Sequence, residues 1–296
     1  MKLSTVRTPI FFLTLFLWSA TALSHPHILK TEDKSEVSSA TFLEDLRQAQ
    51  VIFIGELHDH IGHHQAQLAV IDALDDDPKM PLAIGLEMFQ HNNQHILDRW
   101  VDNELPLERF LVHYHENWGM WPQYQDIFFH ARENGTRMIG LNIPRQISNQ
   151  VAAEGFQKLP EDVRKMLGDV RCVVGRDYET FIRQAMGGFG GHGAKYLYFC
   201  EAQLLWDSVM ARNLVSFLEK NRDFRIVVIA GSGHSWKYGI PRQMLREADI
   251  SFRVILPELF GRADRLNITD EIADYLWLDV GDDGWTLPEE EPPPPS

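Results

Sequence analysis

Short apolar runs rich in β-branched residues alternate along this chain with stretches whose apolar positions recur at helical spacing. The runs at 51–54, 81–88, 137–142, 225–230 and 252–256 are nearly unbroken in apolar character, the pattern of strands covered on both faces. Between them, 63–74, 90–101 and 122–134 read as helices, the last stopped by Gly135. Alternation of this kind predicts an α/β fold, a mostly parallel sheet with helices on both faces. The rhythm changes between Ile147 and Leu218, where helices at about 146–156, 177–186 and 196–220 predict an inserted helical subdomain over about 146–221. A glycine-rich break at 187–193 interrupts it and suits either a lid or a plain connection.

The two ends depart from the pattern. Lys2 and Arg7 precede an apolar stretch from Pro9 to Trp18, followed by the small residues Ser19, Ala20, Ala22 and Ser24. That order predicts a secretory signal peptide over 1–24. Its apolar run is too short for a comfortable membrane span, and nothing later approaches that length. No cysteine follows it to carry a bacterial lipid anchor, so a soluble, exported protein is expected. Residues 25–40 are polar and lack periodicity, which predicts a flexible leader. Residues 281–296 form an acidic, proline-rich tail expected to be disordered, leaving 41–280 as the folded domain.

Composition narrows the classes of partner. With 28 basic and 42 acidic residues the net charge is −14, which disfavours nucleic acid and anionic membranes. Eight tryptophans and seventeen phenylalanines supply apolar surface able to line a pocket for a flat ligand. The two cysteines, Cys172 and Cys200, either pair in an oxidising compartment or stay buried as thiols; the sequence leaves both open.

Chemistry concentrates where the apolar runs stop. Gly55-Glu56-Leu57-His58 ends the first and Gly231-Ser232-Gly233-His234 the fourth. Glycine tolerates the turn a strand end needs, and in open α/β sheets ligands gather beyond the strands' carboxyl ends. Two remote segments therefore deliver two histidines and an acid to one edge. Glu87 ends the second run, where a carboxylate is costly to bury unless it is paired or holds a cation. Asn142 and Arg145 close the third, the guanidinium being suited to neutralise carboxylates or to grip an anionic ligand such as a propionate. His60, His64 and Gln67 fall on one helix face at i, i+4, i+7, either sharing a metal or forming an ordinary polar face. Gln203 and Asp207 share a face among apolar neighbours. Tyr178, Tyr196 and Tyr198 flank the glycine break, as packing residues or as a phenolate for ferric iron.

Taken in order, Gly55-Glu56-x-His58-Asp59-x4-His64, Gly85-Leu86-Glu87-Met88, Asn142-x-Pro144-Arg145, Ala202-Gln203-x2-Trp206-Asp207-x2-Met210-Ala211 and Ala230-Gly231-Ser232-Gly233-His234-x4-Gly239-Ile240-Pro241 resemble the ChaN-like haem-binding uptake family of the Tiki superfamily. The resemblance runs from about 40 to 260. It implies an α/β fold with a helical subdomain, a role in haem and iron uptake alongside uptake machinery, and a haem-linked homodimer. It also implies a tyrosine on the haem iron, with Tyr178 the first candidate and Tyr196 and Tyr198 next, and Arg145 or histidines on the propionates. Some members of the family are lipoproteins. This chain lacks the necessary cysteine, so a soluble periplasmic form is expected.

A second reading stands beside haem binding. His58 and His234 with Glu56 or Glu87, and His64 as a further ligand, would hold a divalent zinc or manganese ion for a metal-dependent hydrolase. The other acid would act as general base, with Arg145 in the catalytic set. A third possibility is a polar network that only supports the fold.

Overall fold

The computed structural model describes residues 27–77, 80–168, 170–185 and 193–281. Among these residues eight strands form one sheet: β1 (His27–Lys30), β2 (Glu36–Val37), β3 (Val51–Glu56), β4 (Leu82–Gln90), β5 (Arg137–Asn142), β6 (Arg225–Gly231), β7 (Phe252–Pro257) and β8 (Tyr275–Leu278). Their spatial order is β2-β1-β8-β7-β3-β6-β4-β5. The strands from β8 to β5 in this order are mutually parallel, while β1 and β2 join antiparallel at one edge. This is an α/β fold with a mostly parallel sheet.

Two-sided burial explains the unbroken apolar runs. In β3, Val51 and Phe53 enter one core, and Ile52 and Ile54 enter the other. Burying each such side chain contributes roughly 1.5–3 kcal/mol. Helices Ile61–Asp75, Gln94–Val101, Leu107–Asn117 and Trp121–Asn134 cover one face through Ile71, Trp100, Tyr114 and Phe128. Arg145–Glu154, Ala194–Lys220 and Ile240–Glu247 cover the other through Val151, Leu205 and Met244. Trp121–Asn134 ends at Gly135, whose φ of 72° is the left-handed conformation glycine adopts without strain. Leu107–Asn117 escapes the sequence reading because charged and histidine residues crowd its apolar stripe.

The insertion contains helices Arg145–Glu154, Glu161–Leu167, Arg176–Ala185 and Ala194–Lys220. Cys172 and Cys200 are disulfide-bonded with their Cα atoms 5.6 Å apart, which resolves the question left open by sequence. Residues 187–192 of the glycine break lie outside the described residues, as do the expected signal peptide 1–24 and all of the 281–296 tail except Gly281. No helix among the described residues is long and apolar enough to cross a membrane.

The expected flexible leader at 25–40 is a correction. It carries β1 and β2 and the start of helix Ser39–Leu46. Ile28 and Leu29 are buried, and Thr31 Oγ1 donates to the Ala273 carbonyl at 2.6 Å. A four-residue strand offers too few positions for alternation to show, and its partner β8 lies at the far end of the chain.

Register sets the site. Glu56 of β3 pairs with Gly231 of β6, and Leu86 of β4 pairs with Ile229. The carboxyl ends of β3 and β6 therefore stop together beside Glu87 of β4, which runs on to Gln90, bringing Glu56, Gly231 and Glu87 side by side.

Candidate ligand-binding site

Beyond those strand ends lies a cleft of about 820 Å³. Glu56, His58, Gly231, His234 and Gln203 form its polar floor, and Trp236, Leu256, Leu259 and Ile272 its apolar wall. Thr180 and Gln203 come from the helical insertion, Met120 and Arg262 from loops. Its size falls within the roughly 300–1,000 Å³ typical of small-molecule pockets.

Two glycines let the strand ends close. A Cβ on Gly55 would come within 2.6 Å of Leu256 and 2.9 Å of Ser232 Oγ. One on Gly231 would press the His58 ring at 3.0 Å. The glycine of each motif is thus a matter of close approach: the imidazole of the first motif lies against the backbone of the second.

The floor consists of two parallel chains of polar groups. In the first, His58 Nδ1 donates to Glu56 Oε1 at 2.8 Å, and the Tyr124 hydroxyl donates to the same oxygen. The other carboxylate oxygen accepts from Gln67 at 2.8 Å and pairs with His64 Nδ1 at 3.2 Å. His64 Nε2 donates to the His58 carbonyl at 3.0 Å, which places protons on both of its ring nitrogens. In the second chain, His234 Nδ1 donates to Asp207 Oδ1 at 2.7 Å, and the Tyr178 hydroxyl donates to Asp207 Oδ2 at 2.9 Å. Glu87 lies between the chains, accepting from the Gly231 N–H at 2.7 Å with His234 Nε2 3.7 Å away.

These contacts fix the charges. Burial alone would raise the Glu56 carboxyl, but hydrogen bonds from His58 and His64 hold it well below the usual carboxylate range. Burial disfavours a charged His58, yet Glu56 and Glu87 raise it to about 9. His64 and His234 are raised for similar reasons, against their own burial. Burial pushes Asp207 up, with His234 opposing. At neutral pH His58 is therefore a protonated partner of Glu56, and His64 and His234 are held toward the protonated form by the buried carboxylates beside them.

A model of the family described as "Haem-binding uptake, Tiki superfamily, ChaN" matches residues 42–244. The chain belongs to this ChaN family of haem-binding uptake proteins. A solved structure described as cofacial heme binding to ChaN of Campylobacter jejuni shares the fold, with a TM-score of 0.69 at 20% identity, covering 86% of this chain and 97% of that one. A curated relative, Protein RETICULATA-RELATED 5, chloroplastic, from Arabidopsis thaliana, is 24% identical over 162 residues, 52% of this chain. This chain spans 21% of that relative's length.

In this ChaN-family chain the edge expected from sequence assembles Glu56, His58, His64, Glu87, Asp207, Gln203 and His234. Other candidates go elsewhere. Arg145 is exposed and donates to the Asn117 carbonyl at 2.8 Å, because the helix it starts carries it away from the strand-end carboxylates. Asn142 ties strand ends together, donating to the Glu87 carbonyl at 2.7 Å. His60 and His64 do not share a metal-facing surface. The helix begins at Ile61, so His60 precedes it and stacks on His63 with ring centroids 3.8 Å apart, while His64 turns inward. Burial and the neighbouring His60 hold His63 down to about 3, and it accepts the Leu57 N–H at 2.9 Å.

Among the described residues, no group of three or more His, Cys, Asp or Glu side chains is arranged to hold a metal ion. The members of the expected zinc or manganese set, His58, His234, Glu56, Glu87 and His64, are instead hydrogen-bonded within the two polar chains.

The three tyrosines differ in availability. Tyr178 is buried, stacks on Trp236 at 5.6 Å and donates its proton to Asp207; burial drives its hydroxyl pKa well above the ordinary value. Tyr196 is half-buried beneath the Arg183 guanidinium, 4.9 Å from its ring. Tyr198 is half-buried, its ring packed over Gly155. Sequence reasoning missed Tyr124, which completes the first chain, and Trp118, whose ring edge meets His58 at 5.1 Å. Both come from a region with no glycine-histidine motif to mark it.

Proposed function

We propose that this chain binds haem in the cleft beyond the strand ends, as an exported carrier in haem and iron uptake. The cleft carries the reading. It is large enough, apolar on one wall, lined on its floor by paired histidines and carboxylates, and open to the helical insertion. Burial of the macrocycle against Trp236, Leu256, Leu259 and Ile272 supplies most of the affinity. The protonated His58, half exposed to the cleft, attracts the propionates.

A phenolate is the proposed iron ligand, as the sequence resemblance implied, while His58 and His234 are occupied by Glu56 and Asp207. Tyr178 must then release Asp207 and lose its proton, whereas Tyr196 and Tyr198 need no such rearrangement of the floor. The disulfide and the signal-like N-terminus support export to an oxidising compartment such as the periplasm. A pair of protomers sharing haem is part of the same proposal.

Hemin titration of the purified protein, followed by visible absorption, tests this reading. Saturable binding with a tyrosinate-like ferric spectrum is expected, and the single Phe variants at 178, 196 and 198 identify the ligand. Absence of a saturable change would remove haem binding from the account.

A further inference from the structure

Loop 259–268 borders the cleft and has a built shape. Leu259 and Ala263 exchange backbone hydrogen bonds at 2.7 and 2.9 Å around Gly261, whose φ of 72° closes the turn. The Asp264 carboxylate accepts from the backbone of Gly261, Leu266 and Asn267 at 2.8, 3.0 and 3.2 Å. Asn267 returns a bond to the Asp264 N–H at 2.9 Å. A loop organised by so many of its own contacts still holds Phe260 at 99% and Leu266 at 96% exposure. Leu259, Gly261, Arg262 and Ala263 line the cleft, so Phe260 sits at its lip.

Charge separates Arg262 from the other cations there. His58 and His234 are engaged by Glu56 and Asp207, and Arg265 on the same loop pairs with Glu36 at 3.2 Å. Arg262 is exposed, lines the cleft and forms no ion pair among the described residues.

We propose that loop 259–268 is the gripping lip of the cleft: Arg262 pairs with a carboxylate of the bound haem, and Phe260 folds over its apolar edge. This rests on the haem-binding reading above. An apolar wall with a free cation at its lip complements a flat, apolar acid. Two exposed side chains on one loop fall well short of the ~1,000 Å² that a stable protein interface buries. The net charge of −14 opposes docking on an anionic membrane.

The test is titration of the full chain with hemin and with hemin dimethyl ester, whose propionates are neutral. Arg262→Gln should weaken hemin binding about tenfold and leave the ester unaffected, the size expected for one charge-assisted hydrogen bond. Phe260→Ala should weaken both ligands about fivefold, as loss of buried aromatic surface does. Arg265→Gln should change neither. All three positions are exposed, so folding is preserved, and circular dichroism checks it. Hemin binding by both Arg262→Gln and Phe260→Ala at wild-type affinity would overturn the lip and leave the haem reading standing. A wild-type protein that binds no hemin would overturn both. Loss of self-association rather than of hemin affinity in Phe260→Ala would assign the loop to a second copy and overturn the proposal.

Discussion

The two Gly-x-x-His motifs end in the same chemistry reached by different routes. Each histidine donates to a buried carboxylate that also accepts from a buried tyrosine: His58–Glu56–Tyr124 on one side, His234–Asp207–Tyr178 on the other. In the first chain the carboxylate comes from the same motif. In the second it comes from helix Ala194–Lys220 of the insertion. Exposure differs too, the His58 side chain being 36% exposed and that of His234 only 9%. One chain is thus self-contained and faces the cleft, while the other is buried and depends on the insertion docking correctly. The cleft floor is a joint between the sheet and the insertion.

Removing the carboxylates tests that division most strongly. Glu56→Ala strands His58 and His64 together, and Asp207→Ala strands His234. Breaking a buried pair by deleting one partner costs about 3–5 kcal/mol, so urea unfolding should place Glu56→Ala at the upper end and Asp207→Ala at the lower. Equal losses would mean that His64 adds nothing to the first chain.

Next in size, opening the 172–200 disulfide with the Cys172→Ser/Cys200→Ser pair should cost about 3 kcal/mol. Hydrogen exchange should then rise in the insertion and around Asp207 while the Glu56 network stays protected. Uniform loosening would contradict a self-contained first chain. Smaller again, Tyr124→Phe and Tyr178→Phe each remove one hydrogen bond to a buried carboxylate and should cost about 1.5–3 kcal/mol in the same denaturation assay. Only the second lies within the insertion, so only it should sharpen hydrogen exchange there.

A separate effect is on pH dependence. His58 is raised from 6.5 to about 9. Its stabilisation is therefore complete below pH 6.5 and fades as pH rises through 9, so Tm should fall over that window. His58→Gln should shrink the fall, with His64 and His234 accounting for what remains. On the acid side the depressed Glu56 works the other way, its contribution being present above its ordinary 4.5 and lost as pH drops. A Tm that rises between pH 6.5 and 9 would contradict protonated imidazoles.

The same contrast explains what the sequence revealed. Glu56, His58, Glu87 and His234 were legible because each ends an apolar run, and parallel register then forces them together. Asp207 stood out as an acid among apolar neighbours, but its partner could not be named, because helix-to-strand docking leaves no periodic trace. Tyr124 was invisible for the same reason. Arg145 donates to the Asn117 carbonyl, because a strand-end position does not fix where a long side chain goes. The strand β1, between β2 and β8, was hidden by its brevity.

The most direct test of the account is hemin titration of the wild-type chain beside Thr180→Trp, which puts bulk into the cleft from an exposed position on the insertion. The account predicts saturable binding by the wild type and loss of most of it in the variant, with the unfolding midpoint unchanged. Equal hemin binding by both proteins would contradict the cleft as the haem site.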